Sequence, residues 1–275
     1  MPLVLGSSNP GRFFNDLGGV ARNVAYNLAS LGCRVSLCSR VGDDESGRQV
    51  LAQPVDCSMI TVSKTSSTAT YTAILEASGE LVIGVADMAI YEEMTPDLLA
   101  PFLPRLAAAT LWFLDANLPA ETLDWLLAAA GDIPVAVDAI SVAKSTRLRP
   151  LLPRIQYLFC NLAQAGALAQ TTFVDPSEAA NSVRRLGATS GIVTAGAKGI
   201  AVYDAAAIST LAALPAAPRD VTGAGDALIA GTLYGVTHGL DVTQAARLGL
   251  AAAAITIESP SAAPRLTPEA LHARA

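Results

Sequence analysis

The chain has 275 residues, of which 52% are hydrophobic, and its formal net charge at pH 7 is −6. Its 18 Lys and Arg residues form no cluster, which argues against a nucleic-acid partner, because binding to a phosphate backbone needs grouped positive charge. Charged residues, Pro or Gly interrupt each longer apolar stretch, so we expect no membrane span, no signal peptide and a cytoplasmic protein.

Cysteine and histidine usage argues against two further classes of protein. The four cysteines are scattered without a Cys-x-x-Cys pair, and we interpret them as buried thiols in a reducing compartment rather than as disulfides or metal ligands. The two histidines are not neighbours in the sequence, which disfavours zinc chemistry and a Ser-His-Asp triad. The length allows one large domain, and we interpret residues 1–275 as a single domain.

Apolar strands alternate with helical segments from about residue 18 onward. The helical spacing of apolar residues predicts a helix over 20–31, which Gly32 ends; residues 34–40 alternate like a strand, and 45–53 form a short helix. Two β-rich runs, 68–77 and 80–86, are joined by Ser78 and Gly79, which indicates a hairpin. Because this hairpin interrupts the alternation, we interpret it as a lid inserted at about residues 60–90.

The alternation of helices and strands resumes after the hairpin. It predicts helices over 96–109, 120–130, 163–169, 176–187, 225–238 and 242–258, and strands over 110–114, 134–138, 156–160, 191–195, 199–204 and 208–213. This order indicates an α/β fold in which helices cover both faces of a mainly parallel sheet. Ligands of such sheets bind beyond the carboxyl ends of the strands. Five residues fall just past predicted strand ends and therefore on one rim: Gly42, Asp115, Asp138, Asn161 and Gly196.

The segment Asp-Val-Thr-Gly-Ala-Gly-Asp, residues 220–226, stands at the start of an apolar predicted helix. Gly223 and Gly225 allow backbone angles that bring successive N–H groups into one concavity at the helix N-terminus, where phosphate or another anion can bind. Asp226 adds a carboxylate to the same turn. An anion site beside a proton acceptor points to phosphoryl transfer to a hydroxyl. The alternative is a Gly-rich turn that only caps the helix.

A second Gly-rich motif opens the first predicted helix. Gly18 and Gly19 permit a substrate to approach the backbone closely, and the Asn23 side chain can both donate to and accept from sugar hydroxyls. A tight turn without a ligand is the alternative explanation of the glycine pair. Two basic residues near this motif, Arg12 and Arg22, are interpreted as surface residues, with contact to a base or a phosphate as the alternative.

Together the two motifs resemble the two signatures of the ribokinase-like (phosphofructokinase-B type) carbohydrate kinases. The first signature is matched by Gly-Gly-x-Ala-x-Asn-x-Ala from Gly18, followed at the family's spacing by Gly32 and Gly42, and the second is matched by residues 220–226. Residues 41–47 and 193–199 fit the family as well. The resemblance implies a three-layer α/β/α sandwich with a mainly parallel sheet and a small β lid. It also implies a kinase that uses ATP and Mg²⁺.

The resemblance implies a role for each matching residue. Asp226 would take the proton from the acceptor hydroxyl, and the N–H groups of Gly223, Ala224 and Gly225 would stabilise the transferred phosphoryl group. The remaining residues divide by ligand: the acceptor at Gly18, Gly19, Asn23 and Asn117; the nucleotide at Asn161, Thr194, Gly196, Gly199, Gly223 and Gly225; Mg²⁺, indirectly, at Asn161 and Gln164; and a monovalent cation such as K⁺ at Asp220 and Thr222.

Within the family, the chain looks most like the pseudouridine kinases. The similar segments are residues 8–12, 18–32, 79–96, 115–119, 137–148 and 255–269. This resemblance implies transfer of the γ-phosphate of ATP to the 5′-hydroxyl of pseudouridine, and the alternative is a ribokinase-like or fructokinase-like sugar kinase. The hairpin at 68–86 would cover the sugar and exclude water. By analogy with the family, the same lid would join two copies of the chain in a homodimer.

The sequence departs from the family pattern at two places. Family members begin with a strand that ends in Gly-x-x-Asn-x-Asp, whose Asp binds sugar hydroxyls, and this motif is absent after Met1. We therefore expect the first strand to be missing, unless the true start lies upstream or residues 2–6 fill part of its place. The family also has Asn-x-x-Glu where this chain has Asn161 and Gln164. Both departures keep open a nucleoside-binding homologue with impaired catalysis.

Overall fold

The structure, a computed structural model, describes residues 6–12, 15–76 and 81–275. The strands are β1 Ser36–Gly42, β2 Asp56–Ser63, β3 Thr70–Leu75, β4 Leu81–Asp87, β5 Trp112–Asp115, β6 Val135–Asp138, β7 Tyr157–Asn161, β8 Ser190–Thr194, β9 Ile200–Tyr203 and β10 Ile208–Leu211. The helices are α1 Val20–Ser30, α2 Glu45–Leu51, α3 Pro96–Leu99, α4 Leu103–Leu106, α5 Ala120–Ala129, α6 Val142–Ser145, α7 Leu162–Ala169, α8 Pro176–Arg185, α9 Ala224–Thr237, α10 Val242–Ile257 and α11 Pro268–Arg274.

The central sheet has six strands in the order β10-β9-β8-β7-β6-β5. Strands β5 to β8 are parallel, because helical crossovers separate them, whereas the short turn between β8 and β9 makes that pair antiparallel. The register places Asp115 opposite Asp138, and Asn161 opposite Thr194, at the carboxyl ends of the strands. The prediction of a mainly parallel sheet is confirmed, and these four predicted rim or site residues lie along one edge.

Successive residues of the strands enter two different cores, which makes the fold a three-layer sandwich. Leu158 and Cys160 of β7 pack with apolar residues of α5, α7 and α8 on one face. Phe159, between them, packs with residues of α1, α9 and α10 on the other face. Strands buried on both faces read as continuous apolar runs rather than as alternating ones, which is why the sequence pattern revealed them.

Four further strands form two small sheets beside the central one. Strand β1 pairs in parallel with β2, and β3 pairs with β4 as an antiparallel hairpin. The predicted hairpin is therefore present, although its proposed turn at Ser78 and Gly79 lies outside the described residues. The sequence interpretation assigned no element to residues 54–67 and so missed β2.

One predicted helix differs from the structure, and some helical elements were not predicted. The single helix expected over 96–109 is divided into α3, a 3₁₀ turn Ala100–Phe102 and α4. Pro101 and Pro104 explain the division, because proline lacks the N–H that a continuing helix needs. The short helix α6, the 3₁₀ helix Thr146–Arg154 and α11 were not predicted.

A cleft of about 3190 Å³ separates β1 from β5. Residues of both strands and of α1 line it. Within the described residues, β1 pairs only with β2, β5 pairs only with β6, and no strand precedes α1. The expectation that residues 2–6 fill part of this space falls mostly on residues 1–5, outside the described chain. No helix among the described residues is long and apolar enough to cross a membrane.

Candidate active site

Asp226 lies in the first turn of α9, three residues after the left-handed glycine at the N-cap. Gly223 has φ +77°, and a β-carbon there would lie 1.8 Å from the Ala262 carbonyl oxygen, so the turn needs glycine at this position. The turn brings the positive end of the helix dipole beside the cleft. The predicted group of three N–H donors differs in one respect, since the Ala224 N–H donates to the Val221 carbonyl at 3.3 Å.

Helix α1 carries Asn23 to the same place. The Asn23 Nδ2 group donates to Asp226 Oδ2 at 2.6 Å, although 203 residues separate the two in the sequence. Helices α1 and α9 pack side by side on one face of the sheet, and this packing aligns the two Gly-rich motifs. Gly18, Gly19, Asn23 and Asp226 all line the cleft. The structure thus places the predicted base and three predicted acceptor residues around one space.

Arg22 corrects the sequence interpretation. It was interpreted as a surface residue, but it is only 9% exposed. Its guanidinium donates to Gly18 O at 3.1 Å, Gln53 Oε1 at 3.2 Å and Asn23 Oδ1 at 2.5 Å, and also to Leu17 O. Arg12, by contrast, is exposed and borders the cleft.

Three carboxyl groups influence one another at the carboxyl edge of the sheet. Burial raises the pKa of Asp226 to about 6, the Asn23 hydrogen bond and the Arg22 charge oppose this rise, and Asp115 adds to it. Burial raises the pKa of Asp138 to about 7, with contributions from the charges of Asp226 and Asp115. Burial also raises the pKa of Asp115. A carboxylate with a pKa near 6 can accept a proton at neutral pH more readily than an ordinary Asp.

Asn117 follows β5 and also lines the cleft, as its predicted contact with the acceptor requires. Its N–H donates to Asp115 Oδ1 at 2.9 Å, and its Oδ1 accepts from Lys144 Nζ. Lys144 belongs to α6, and burial lowers its pKa. The sequence interpretation gave Lys144 no role, because α6 is a single turn whose pattern carries no helical signal. Its cation nevertheless lies next to a predicted acceptor residue.

The predicted nucleotide residues lie at the ends of β7 and β8. Asn161 Oδ1 accepts from the Gln164 N–H at 2.9 Å, and Gln164 Oε1 accepts from the Asn161 N–H at 2.8 Å, so the two side chains cap α7 reciprocally. Thr194 ends β8. Gly196 has φ +58° and open space at its β-carbon position, whereas Gly199 is required by the Leu211 carbonyl 2.2 Å from its β-carbon position.

The predicted metal residues do not form a cage of charged ligands. Among the described residues there is no group of three or more His, Cys, Asp or Glu that could hold a metal ion. Asn161 and Gln164 are neutral and occupied in capping, and Mg²⁺ prefers carboxylate and phosphate oxygens. Asp220 Oδ1 accepts from the Thr222 N–H at 2.8 Å in an exposed turn. These residues do not fit a resident Mg²⁺ site, and the monovalent-cation site stays a prediction.

The arrangement provides the elements of group transfer to a hydroxyl. A carboxylate with a raised pKa faces a cleft, amide and lysine side chains can hold a polar acceptor, and a helix N-terminus can stabilise an anion. Helices α1 and α9 and the end of β5 bring together the residues that are predicted to contact the acceptor. The residues predicted to contact the nucleotide lie farther along the same edge of the sheet, at β7 and β8.

Comparison with known proteins gives one family. The model described as "pfkB family carbohydrate kinase" matches residues 6–269. An uncharacterised sugar kinase of Escherichia coli, YeiI, is 32% identical over 263 residues, which cover 93% of this chain and 73% of that protein. A pseudouridine kinase of the same organism is 32% identical over 251 residues, 87% of this chain and 79% of its own. Relatives named fructokinase and ribokinase match as well.

Solved structures agree on the fold. A carbohydrate kinase from Agrobacterium tumefaciens is 34% identical, with a TM-score of 0.85 over 99% of this chain and 90% of that chain. A ribokinase from Arabidopsis thaliana, solved with ribose and ATP, has a TM-score of 0.84 at 21% identity and covers 93% of this chain and 86% of its own. The ribokinase-like sandwich expected from the sequence is confirmed.

Proposed function

Because the chain belongs to the pfkB family of carbohydrate kinases, we propose that it transfers the γ-phosphoryl group of ATP to the 5′-hydroxyl of pseudouridine. The broader activity is that of the family: a phosphotransferase that acts on a hydroxyl of a sugar or a nucleoside. We further propose that residues 1–275 act as a single domain and that the reaction takes place in the cytoplasm.

The contact between Asn23 and Asp226 carries this proposal. It joins the two Gly-rich motifs at one point, and it leaves a carboxylate with a pKa of about 6 facing the cleft. A Gly-rich turn that only capped α9 would not need a partner from a helix 203 residues away. This observation favours the hypothesis that Asp226 is the catalytic base over the alternative that the Gly-rich turn only caps the helix.

The proposed reaction follows from these positions. The 5′-oxygen of the acceptor forms the new bond to the γ-phosphorus, and the bond from that phosphorus to the bridging oxygen breaks, so that its electron pair leaves with ADP. The hydroxyl proton moves to Asp226, which can accept it because its pKa lies near 6. The positive end of α9 and the N–H of Gly225 would stabilise the negative charge of the transferred group.

ATP as the donor is supported by the relative solved with ribose and ATP, which shares the fold. Mg²⁺ normally binds such a nucleotide through its phosphates and reduces their charge. Because the described residues offer no charged cage for the ion, no step of the proposed reaction is assigned to the metal. The roles of Asn161, Gln164, Thr194, Gly196 and Gly199 toward the nucleotide stay predictions.

Pseudouridine as the acceptor is supported by one relative and one feature of the cleft. The pseudouridine kinase of Escherichia coli is 32% identical over 87% of the chain. Lys144 and Asn117 together offer a cation and an amide. These groups suit the carbonyl and N–H groups of a uracil ring better than they suit the hydroxyls of a simple sugar. The alternative, a ribokinase-like or fructokinase-like sugar kinase, is supported by the relatives of those names.

A substrate panel tests the proposal directly. Purified protein is incubated with ATP, Mg²⁺ and, separately, pseudouridine, uridine, cytidine, ribose and fructose, and the products are identified by mass spectrometry. We expect pseudouridine to give the highest kcat/KM, and turnover of ribose or fructose without any nucleoside would refute the acceptor. We expect Asp226→Asn to lower kcat by about 10²- to 10⁴-fold. The matched control is Asp97→Asn, an exposed carboxylate in the first turn of α3.

A second candidate function is nucleoside binding without efficient transfer. Two observations favour it: Gln164 is engaged in capping α7, and the acceptor side of the cleft lacks a strand between β1 and β5 among the described residues. Isothermal titration calorimetry separates the two candidates. Tight nucleoside binding without product, in a protein that is folded by circular dichroism, would favour binding alone, whereas steady turnover would exclude it.

We also propose that the lid β3–β4 joins two copies of the chain. Tyr71 and Val85 are each 58% exposed on this hairpin, so they present apolar surface to solvent. Sedimentation should show a dimer that the double variant Tyr71→Ser, Val85→Ser dissociates. The control is Val174→Ser, a valine that is 74% exposed outside the lid. A wild-type monomer at micromolar concentration would contradict the proposal.

A further inference from the structure

Among the described residues, Arg22 is the one strongly buried cation beside the site, and the proposed reaction gives it no task. It is 9% exposed, and placing a guanidinium out of water is costly unless several acceptors compensate it. Its partners are the carbonyls of Leu17 and Gly18 and the side-chain oxygens of Gln53 and Asn23. None of these four partners is a carboxylate, so a simple structural ion pair does not explain why the charge is there.

The contact with Asn23 determines which way that amide faces. The Asn23 oxygen lies 2.5 Å from Arg22 Nη2, a donor that needs an acceptor, so the Nδ2 group must point away from the guanidinium. That Nδ2 group donates to Asp226 Oδ2 at 2.6 Å. Turning the amide over would set its oxygen against the Asp226 carboxylate and its N–H₂ against the guanidinium, and both contacts would be repulsive.

The orientation of Asn23 in turn determines which oxygen of Asp226 meets the substrate. Oδ2 is held by Asn23, while Oδ1 has no hydrogen-bond partner among the described residues. The charged groups that influence Asp226 are Arg22 on α1, Asp115 at the end of β5 and Asp138 at the end of β6. Arg22 is the only cation among them, and Asp16 and Tyr26 are its other ionisable neighbours.

We propose that Arg22 is a positioning residue: through the Asn23 amide it holds the Asp226 carboxylate so that Oδ1 faces the acceptor hydroxyl. The inference rests on the proposed function for the meaning of Asp226 as the base. The hydrogen bonds of Arg22 to the carbonyls of Leu17 and Gly18 also hold the loop that precedes α1, where the acceptor is proposed to bind. One guanidinium therefore fixes both the base and the backbone beside it.

Two variants separate positioning from charge. Arg22→Met removes the charge and the donors but keeps an unbranched stem, and Arg22→Lys keeps the charge but loses the planar fork. We expect both to lower kcat by about tenfold to a hundredfold, with a smaller change in KM, because the misdirected base still leaves the acceptor pocket in place. The matched control, Gln53→Ala, removes a hydrogen-bond partner of Arg22 that is not part of the link through Asn23 to Asp226. We expect it to stay within about twofold of the wild type.

A direct titration makes the test independent of the substrate. The Asp226 carboxyl is followed by carbon-13 NMR, with Asp226→Asn to assign its signal, and we expect Arg22→Met to move its midpoint above the wild-type value because both the Asn23 bond and the positive charge are lost. If the wild type phosphorylates no nucleoside, the proposed function fails, yet this titration still tests Arg22. The inference is overturned if Arg22→Lys restores wild-type kcat, or if both variants titrate and turn over like the wild type.

Discussion

Two regions of the molecule differ in how completely they are packed. The closed half, defined as β5–β10 with helices α5–α10, buries both faces of its sheet and supplies Asp226 and the nucleotide residues. The open half, defined as β1–β4 with α2, pairs its strands only two at a time and borders the cleft of about 3190 Å³. Helix α1 lies between them and contacts both β1 and β5.

The two halves have different roles in the proposed reaction. Asp226, the proposed base, and the N-terminal end of α9 belong to the half whose sheet is buried on both faces. The proposed acceptor residues lie between the two halves, on α1 and after β5, and the open half forms the other wall of the cleft. Relatives named for different acceptors match the same chain over 84% to 87% of its length, which agrees with a constant transfer apparatus and a variable acceptor side.

The largest expected effect breaks the closed half at the turn before α9. Gly223→Ala would bring a β-carbon to 1.8 Å from the Ala262 carbonyl at a φ of +77°, so we expect a loss of about 3 kcal/mol or more of unfolding free energy. Gly225→Ala is the matched control for stability, because nothing lies within 4 Å of its β-carbon position. Thermal and urea unfolding measure both.

Gly225→Ala is expected to lose activity although it keeps its stability. The methyl group of Gly225→Ala would point into open space at the helix end, where the transferred phosphoryl is proposed to approach, so kcat/KM should fall by about tenfold or more while stability stays near the wild type. Unchanged kcat/KM in this variant would argue that the phosphoryl group binds elsewhere.

The sequence predicted the closed half better than the open half, for physical reasons. Strands β5 to β8 are buried on both faces, so their apolar signal is strong, and both Gly-rich motifs stand at helix starts. In contrast, β2 of the open half is a polar-flanked strand at an edge and has no distinct period. The exception in the closed half is α6, which is too short at one turn to show a period. Arg22 was misjudged because its acceptors are backbone carbonyls and amide side chains, which leave no local pattern in the sequence that would indicate a buried arginine.

A pair of leucines measures the difference in packing between the two halves. Leu158 in β7 is 0% exposed within the core beneath α5, α7 and α8, and Leu37 in β1 is 6% exposed but borders the cleft. We expect Leu158→Ala to cost about 3 to 4 kcal/mol of unfolding free energy, and Leu37→Ala about 1 to 2 kcal/mol, because the wall of an existing cleft loses fewer contacts and relaxes more easily.

Urea unfolding of the two variants under the same conditions gives both values. Leu158→Val provides a check on scale, since a partial truncation in a close-packed core should cost less than the full one. Equal costs for Leu158→Ala and Leu37→Ala would contradict the comparison, because they would mean that the two halves are packed alike around these side chains.

The smallest expected effect concerns the electrostatic interaction between Asp115 and Asp226, and it shifts a pH profile rather than a rate. The proposed base must be ionised, so kcat/KM should fall as the pH drops through about 6, the pKa of Asp226. The negative charge of Asp115 helps to hold that pKa up. Replacing it by Asp115→Asn should therefore move the acidic limb of the profile to lower pH, while the plateau rate stays within about twofold.

Asp115→Asn is suited to this test because its amide oxygen can still accept the Asn117 N–H, a bond of 2.9 Å in the wild type. The variant thus removes a charge without removing the bond that shapes the end of β5. Asp138 is coupled to both carboxyls, so the wild-type limb belongs to the group as a whole, and the direction of its movement is the informative quantity. A limb that moved to higher pH would mean that Asp115 favours the ionised base, and its charge would then not add to the rise in pKa that burial causes.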